Sequence, residues 1–113
     1  MSLNINRGTT YTIGLNYKKN GVPATLVGAT VRFTVKTVEF DSDMTDTSAV
    51  ISKDVTSGNA QGEASIVINP ADTASLAPGV YFYDIKVEEA SGAIYKVDEG
   101  KVKLDGSATN RGI

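Results

Sequence analysis

The stretch at residues 73–87 constrains the fold of this chain more than any other. Its second half places an aromatic or aliphatic residue at every second position, at Tyr81, Tyr83, Ile85 and Val87. Successive side chains of a β-strand point to opposite faces, so this spacing predicts a strand with one buried and one solvent-facing side. Ala77-Pro78-Gly79 stands just before it, and Pro followed by Gly favours a sharp turn. We therefore expect a corner that leads into a half-buried strand.

The same alternation marks further strands on both sides of this stretch. Residues 11–17, 30–38 and 64–68 alternate apolar and polar side chains, and residues 49–55 do so more weakly. Asn20-Gly21 is a strong hairpin signal, and Pro23 restricts residues 22–27 to a sheet edge at most. After the central strand, Ser91-Gly92 predicts a turn back into residues 93–104, where Gly100 is a candidate β-bulge.

Many short strands with regular turn signals predict an all-β fold. The one helical expectation is a single turn at residues 71–76, capped by Asn69 or Asp72. The favoured architecture is an immunoglobulin-like β-sandwich of seven to eight antiparallel strands, and a small barrel is the alternative. In such a sandwich Tyr81 would return its hydroxyl to the backbone of the corner, as the tyrosine corner of these domains does.

The length of 113 residues suits one domain. We expect residues 1–113 to form a single sandwich whose core spans about residues 9–104. Residues 1–8 form either an ordered lead-in or a tail, and the polar segment after Leu104 is expected to be a mobile terminus.

The composition narrows the classes of function. The chain has no Cys and no His, which excludes disulfides, zinc sites with thiolate or imidazole ligands, and Ser-His or Cys-His nucleophile pairs. A net charge of −2 offers no basic field for a phosphate backbone, so we expect no nucleic-acid partner. No apolar run is long enough to span a bilayer. The first residues lack a secretory signal; if they are the native start, we expect the protein to be made in the cytoplasm and either used there or released by lysis.

No set of residues predicts a catalytic, cofactor or metal site, and we do not expect an enzyme. The nearest approach to a cation site is the acidic loop at residues 39–47, which carries Asp41, Asp43 and Asp46. Hard cations bind several oxygens that converge from one loop, but this loop departs from the EF-hand pattern. The alternative is a solvated excursion whose charges keep it soluble.

Two aromatic and two cationic residues are candidate contacts. Phe82 faces away from Tyr81, so it is either covered by a neighbouring loop or exposed as a contact. Phe40 stands at the mouth of the acidic loop and could hold that loop down. Arg7 and Arg111 occupy matching Asn-Arg-Gly triplets near the two ends, either by coincidence or as anchors on an acidic partner.

Several segments together resemble a known family. They are Arg-Gly-Thr-Thr-Tyr-Thr-Ile from Arg7, Asn-Gly-Val-Pro-Ala-Thr-Leu-Val-Gly-Ala-Thr-Val from Asn20, Leu-Ala-Pro-Gly-Val-Tyr-Phe-Tyr-Asp-Ile from Leu76, and the final Ser-Gly hairpin. Over residues 7–104 the chain resembles the small immunoglobulin-like modules of tailed-bacteriophage virions. The resemblance is to the N-terminal domain of the phage baseplate upper protein and to related short tail or head accessory proteins.

This resemblance implies a non-enzymatic structural component of the virion, in the baseplate, a tail or fibre adaptor, the collar or the capsid decoration. It implies docking on other virion proteins in a symmetric assembly of many copies, with no small-molecule substrate. A carbohydrate-binding or cell-surface adhesion module is the alternative. Against that alternative, the chain has no Trp, and its five Tyr fall mainly on predicted core faces.

Overall fold

A computed structural model describes residues 2–38, 46 and 48–106 of the chain. Within these residues nine strands and one short helix follow one another: β1 (Ser2–Asn6), β2 (Tyr11–Asn16), β3 (Lys18–Lys19), β4 (Val22–Pro23), β5 (Thr30–Lys36), β6 (Ile51–Val55), β7 (Glu63–Ile68), α1 (Pro70–Thr73), β8 (Gly79–Glu88) and β9 (Ile94–Asp105). Phe40, Asp41, Asp43 and Arg111, which the sequence singled out, lie outside the described residues.

The strands form two layers. One is a five-stranded sheet in the order β1-β9-β8-β5-β6, and the other is the antiparallel pair β2-β7, with β3 and β4 as a separate hairpin. β8 lies at the centre of the large sheet, antiparallel to β5 on one side and to β9 on the other. A sheet ordered β9-β8-β5-β6 opposite a β2-β7 pair corresponds to the strands G-F-C-C′ opposite B-E of an immunoglobulin-like sandwich. The predicted all-β sandwich is therefore confirmed.

The core lies between the two layers and is built by the predicted alternation. On β8 the inward residues Tyr83 and Ile85 are only 4% and 1% exposed. The ring of Phe33 on β5 packs against the ring of Tyr83, with 5.8 Å between their centroids, and Ile66 of β7 is fully buried in the same core cluster. Burial of such side chains is the main favourable contribution to folding, so this alternation determines which face of each strand is covered.

The corner before β8 is a tyrosine corner. The Tyr81 hydroxyl donates a hydrogen bond of 2.6 Å to the backbone carbonyl of Ala77, four residues earlier. The ring of Tyr81 is 9% exposed, so it contributes apolar burial while its polar tip is satisfied by the corner. The sequence-based expectation for this residue is confirmed.

The first strand corrects two expectations. β1 pairs in parallel with β9, so not every strand pair is antiparallel. Leu3 and Ile5 are buried in the core, which therefore begins before residue 9. This short strand has only two inward residues, and so short an alternation does not distinguish a strand from a tail. The burial of β1 depends on its pairing with β9, which is distant in sequence.

The expected bulge at Gly100 is wrong. Gly100 pairs with Tyr83 in regular register, and β9 continues on both sides of it. The register shift lies where Ile85 pairs with Asp98 and Lys86 with Lys96, which leaves Val97 as the extra residue. A bulge requires one additional residue in one strand rather than a glycine, so the glycine was a misleading signal.

The connections between the strands have the conformations that their turn residues predict. Asn20 and Gly21 have φ of 51° and 78° and join β3 to β4 in a two-residue hairpin, as predicted. The predicted helical turn is α1, whose cap is formed by Asn69 and Asp72: the Asn69 N–H donates to the Asp72 carboxylate over 2.6 Å.

Leu26, in the segment after Pro23, is fully buried although its neighbours show no alternation.

Candidate functional site

The outer face of the large sheet carries an apolar centre with lysines around it. Phe82 of β8 is half-buried and lies between Lys36 of β5 and Lys101 of β9 in the strand register. Two residues earlier Val80 is 56% exposed and pairs with Lys103 of β9. We call these five residues, Lys36, Val80, Phe82, Lys101 and Lys103, the outer-face patch.

Elsewhere on the same face, opposite charges compensate one another. Arg32 on β5 contacts Glu88 on β8 at 2.8 Å and Asp54 on β6 at 3.6 Å. Ion pairs this exposed contribute little to stability, but they neutralise the field of the sheet at that end. The outer-face patch differs because it combines three cations with two apolar side chains.

The three lysines of the patch differ in the ion pairs that they form. Lys36 pairs with Asp46 at 3.1 Å, and Lys103 lies 3.9 Å from Asp105, at the outer limit of an ion pair. Among the described residues, Lys101 makes no ion pair. Lys101 and Lys103 are both exposed, so they are the charges of the patch that a partner can reach.

The acidic loop, the nearest approach to a cation site in the sequence, is described only at Asp46 among its three Asp residues. Asp46, which has φ of 58°, directs its carboxylate to Lys36, and Asp41 and Asp43 lie outside the described residues. Within the part of the chain that is described, no three or more acidic residues come together in a geometry that could hold a metal ion.

A second surface feature is an open groove of about 520 Å³ at the β3-β4 hairpin. One wall consists of residues 15–20 and the other of residues 95–97 at the start of β9. Tyr95 is 47% exposed, and the Lys19 ammonium lies 5.0 Å from the centre of its ring. The groove therefore presents an aromatic ring next to a cation, an arrangement favoured by the charge distribution of the ring.

Glu89 connects the hairpin to the large sheet near this groove. It accepts a 2.6 Å hydrogen bond from the Tyr17 hydroxyl and pairs with Lys19 at 2.5 Å. Burial and the hydrogen bond to Glu89 raise the pKa of Tyr17 to about 12. The hydrogen bonds from Lys19 and Tyr17 lower the pKa of Glu89, so these groups hold a neutral phenol and an ion pair at neutral pH.

The contact between Tyr17 and Glu89 could not be found from the sequence. Tyr17 was expected on the core face of its strand, and its ring is indeed 3% exposed. Its partner lies 72 residues further along the chain, in the turn after β8. The sequence offers one local signal: Tyr17 ends a series of core-facing residues, and a buried tyrosine hydroxyl requires a hydrogen-bond acceptor. That signal does not identify the acceptor.

Arg7 has a structural position. Its side chain is half-buried and donates to the backbone carbonyl of Ala74 at 3.1 Å, while its N–H donates to the carbonyl of Asp105. These contacts join the end of β1 to the segment after α1 and to the end of β9. The resemblance between the Arg7 and Arg111 triplets therefore does not make Arg7 a surface anchor.

Comparisons with known proteins support the fold alone. No protein-family model and no curated sequence matches this chain. Among solved structures, the chain is similar to the soluble domain of PmoD from Methylocystis sp. ATCC 49242 (Rockwell), with a TM-score of 0.50, 9% identity, and coverage of 89% of this chain and 76% of that one. Murine CRIg also matches, with a TM-score of 0.39, 15% identity, and coverage of 94% and 92%.

Among the described residues, no helix has the length and apolar character needed to cross a membrane.

Proposed function

We propose that this chain is a non-enzymatic structural component of a tailed-phage virion that docks on another virion protein through the outer-face patch. The observation that supports this most is the patch itself, because Val80 is 56% exposed and Phe82 is half-buried beside the exposed Lys101 and Lys103. The resemblance of residues 7–104 to virion modules supports the same assignment. The position in the particle is the baseplate, a tail or fibre adaptor, the collar or the capsid decoration.

The chemistry of the patch specifies the partner surface. Val80 and Phe82 supply the apolar centre, and Lys101 and Lys103 supply positive charge beside it. A complementary surface has an apolar hollow with acidic residues around it, since interfaces place aromatic residues at the centre and arrange charges of opposite sign. A single contact of this size is weak, but many copies on a symmetric particle act together through their effective concentration.

The test is incorporation into particles. Virions purified by density gradient are analysed by quantitative mass spectrometry after infection with phage that carries the wild-type gene or Phe82→Ala. We expect the wild-type chain in the particles at a fixed copy number, and at least a tenfold loss for Phe82→Ala. Val67→Ala, which changes an exposed apolar residue on β7 of the other sheet, is the matched control and should be incorporated normally.

Two outcomes would contradict the proposal. The chain could remain in the soluble lysate and be absent from purified particles, which would exclude a virion role. Alternatively, Phe82→Ala and Val67→Ala could be incorporated equally well, which would exclude the patch as the docking surface. Thermal unfolding of both purified variants separates a loss of docking from a loss of fold.

A carbohydrate-binding or adhesion function is the second candidate, and the groove at Tyr95 favours it. Sugar rings stack on accessible aromatic faces, and Tyr95 is an accessible aromatic residue with Asn16 and Asn20 nearby as hydrogen-bonding groups. A glycan array tests this candidate. A specific ligand whose binding disappears in Tyr95→Ala, but not in Phe82→Ala, would promote adhesion over virion docking.

A further inference from the structure

The two edges of the five-stranded sheet differ in how they are protected. β6 forms one edge and carries charged residues, Lys53 and Asp54, which discourage the addition of another strand. β1 forms the other edge, and its sequence Ser-Leu-Asn-Ile-Asn contains no charge, no Pro and no bulge. In the described part of the chain, β1 has only β9 beside it. An edge without these features is a template for strand pairing.

The hydrogen bonds of β1 show which backbone groups are directed outward. The Arg7 N–H donates to the Asp105 carbonyl of β9 over 2.8 Å. Backbone groups in a strand alternate in direction, so those of Leu3 and Ile5 also point to β9. The N–H and C=O of Asn4 therefore point away from the sheet, as do those of Ser2. The Asn6 N–H points outward as well, while its carbonyl accepts from the Thr9 N–H at 3.3 Å and from the Thr9 hydroxyl at 2.7 Å.

We propose that β1 pairs antiparallel with β1 of a second copy of this chain, about a two-fold axis at Asn4. In this register Asn4 faces Asn4, and the two residues exchange both of their backbone hydrogen bonds. Ser2 faces Asn6, whose N–H can donate to the Ser2 carbonyl, while the Asn6 carbonyl keeps its bonds to Thr9. Leu3 then lies opposite Ile5 on the inner side, and the side chains on the outer side are neutral. The pairing is self-complementary, which is what a closed two-fold dimer requires.

The outer-face patches permit this arrangement. Lys103 lies beside Asn4 in the register, so the two copies of Lys103 are separated by both β1 strands. Three inter-strand spacings of about 4.8 Å place them about 14 Å apart, beyond the Debye length of about 8 Å at physiological ionic strength. Their repulsion is therefore screened. The two large sheets become continuous, and both outer-face patches lie on the same side.

This inference does not rest on the proposed virion role, because it concerns the isolated protein. If that role is correct as well, the dimer presents two patches to one partner surface and gains affinity from bivalency. The interface is small, so we expect a dissociation constant on the order of 10⁻⁴ M.

The first experiment is sedimentation equilibrium of the purified chain over a range from micromolar to millimolar concentration. We expect a reversible monomer–dimer equilibrium for the wild-type protein. Asn4→Lys places two ammonium groups opposite each other and should weaken the dimer at least tenfold. The matched control is Ser52→Lys on β6, at the other edge, which should leave the equilibrium unchanged.

The second experiment uses the absence of Cys from the chain. Hydrogen-bonded residues in an antiparallel pair have Cα atoms about 5.5 Å apart, within the range that a disulfide can bridge. Asn4→Cys should therefore form a disulfide-linked dimer under mild oxidation, much faster than Ser52→Cys. Circular dichroism before oxidation shows whether each variant is folded.

The pairing is overturned if the wild-type chain remains a monomer at millimolar concentration, or if Asn4→Lys and Ser52→Lys dimerise alike. It is also overturned if Asn4→Cys and Ser52→Cys cross-link at equal rates.

Discussion

The two faces of β8 have the same backbone and opposite environments. On the inner face, Tyr83, Ile85 and Val87 are at most 4% exposed and pack in the core. On the outer face, the alternate residues Val80 and Lys86 are in contact with water. The central strand therefore places residues that fold the protein beside residues free to contact a partner. On such a strand, substitutions at the outward-facing positions, which are every second residue, can change binding while the buried side chains of the core stay in place.

This comparison explains why a strand of a sandwich can carry a docking surface. Loops usually carry function because they tolerate change. Here β5 and β9 hold β8 from both sides, so the outer residues are presented on a rigid support. A rigid surface binds with less loss of conformational entropy than a mobile loop does.

The largest expected effect is on the inner face. Ile85→Ala should lower the free energy of unfolding by about 3 kcal/mol, because it removes a fully buried side chain and leaves a cavity. Lys86→Ala, one residue further on the outer face, should change it by less than about 0.5 kcal/mol. Urea denaturation of both variants measures the difference. Equal effects would contradict the division between the faces.

An intermediate effect is expected from the phenol of Tyr83. Burial and the 3.0 Å hydrogen bond to Asp98 raise the pKa of Tyr83 to about 12. Because the pKa is higher in the folded than in the unfolded chain, this stabilisation is complete below about pH 10 and is lost as pH rises toward 12. The difference in pKa corresponds to about 3 kcal/mol in full, of which about 2 kcal/mol is lost by pH 12. The free energy of unfolding, measured from pH 8 to pH 12, should fall less steeply with pH in Tyr83→Phe than in the wild type. An unchanged slope would contradict the assignment.

A smaller effect is expected at the corner. Tyr81→Phe removes the hydrogen bond to the Ala77 carbonyl and keeps the ring, so the loss should be about 1 kcal/mol. Tyr95→Phe is a matched control, because no hydrogen bond of its hydroxyl is found within the described residues, and its stability should stay within about 0.5 kcal/mol of wild type. Thermal unfolding compares the two. A neutral Tyr81→Phe would show that the corner does not depend on this contact.

The sequence predicted the faces of the strands because burial on one side leaves a period of two. The corner at Tyr81 and the hairpin at Asn20 were also predictable, since both depend on residues close in sequence. The sequence does not decide whether β1 is a strand, because the burial of β1 depends on β9, and it does not indicate that Leu26 is buried, because the segment around Leu26 has no alternation.

The surface features were harder to predict than the core. The sequence indicates Phe82 as a candidate contact, but its lysine neighbours come from β5 and β9, and only the strand register brings them together. The groove at Tyr95 depends on the approach of the hairpin to β9, which no local pattern indicates. Contacts between residues that are distant in sequence require the pairing of strands to be known.

The most direct test of the central claim, that the outer face of β8 is the docking face, is cross-linking of purified particles with a lysine-specific reagent followed by mass spectrometry. We predict links from Lys101 and Lys103 to lysines of a neighbouring virion protein, and few or none from Lys18 at the hairpin. Links to a neighbouring protein from Lys18 alone, with Lys101 and Lys103 reacting only as free surface lysines, would contradict the account.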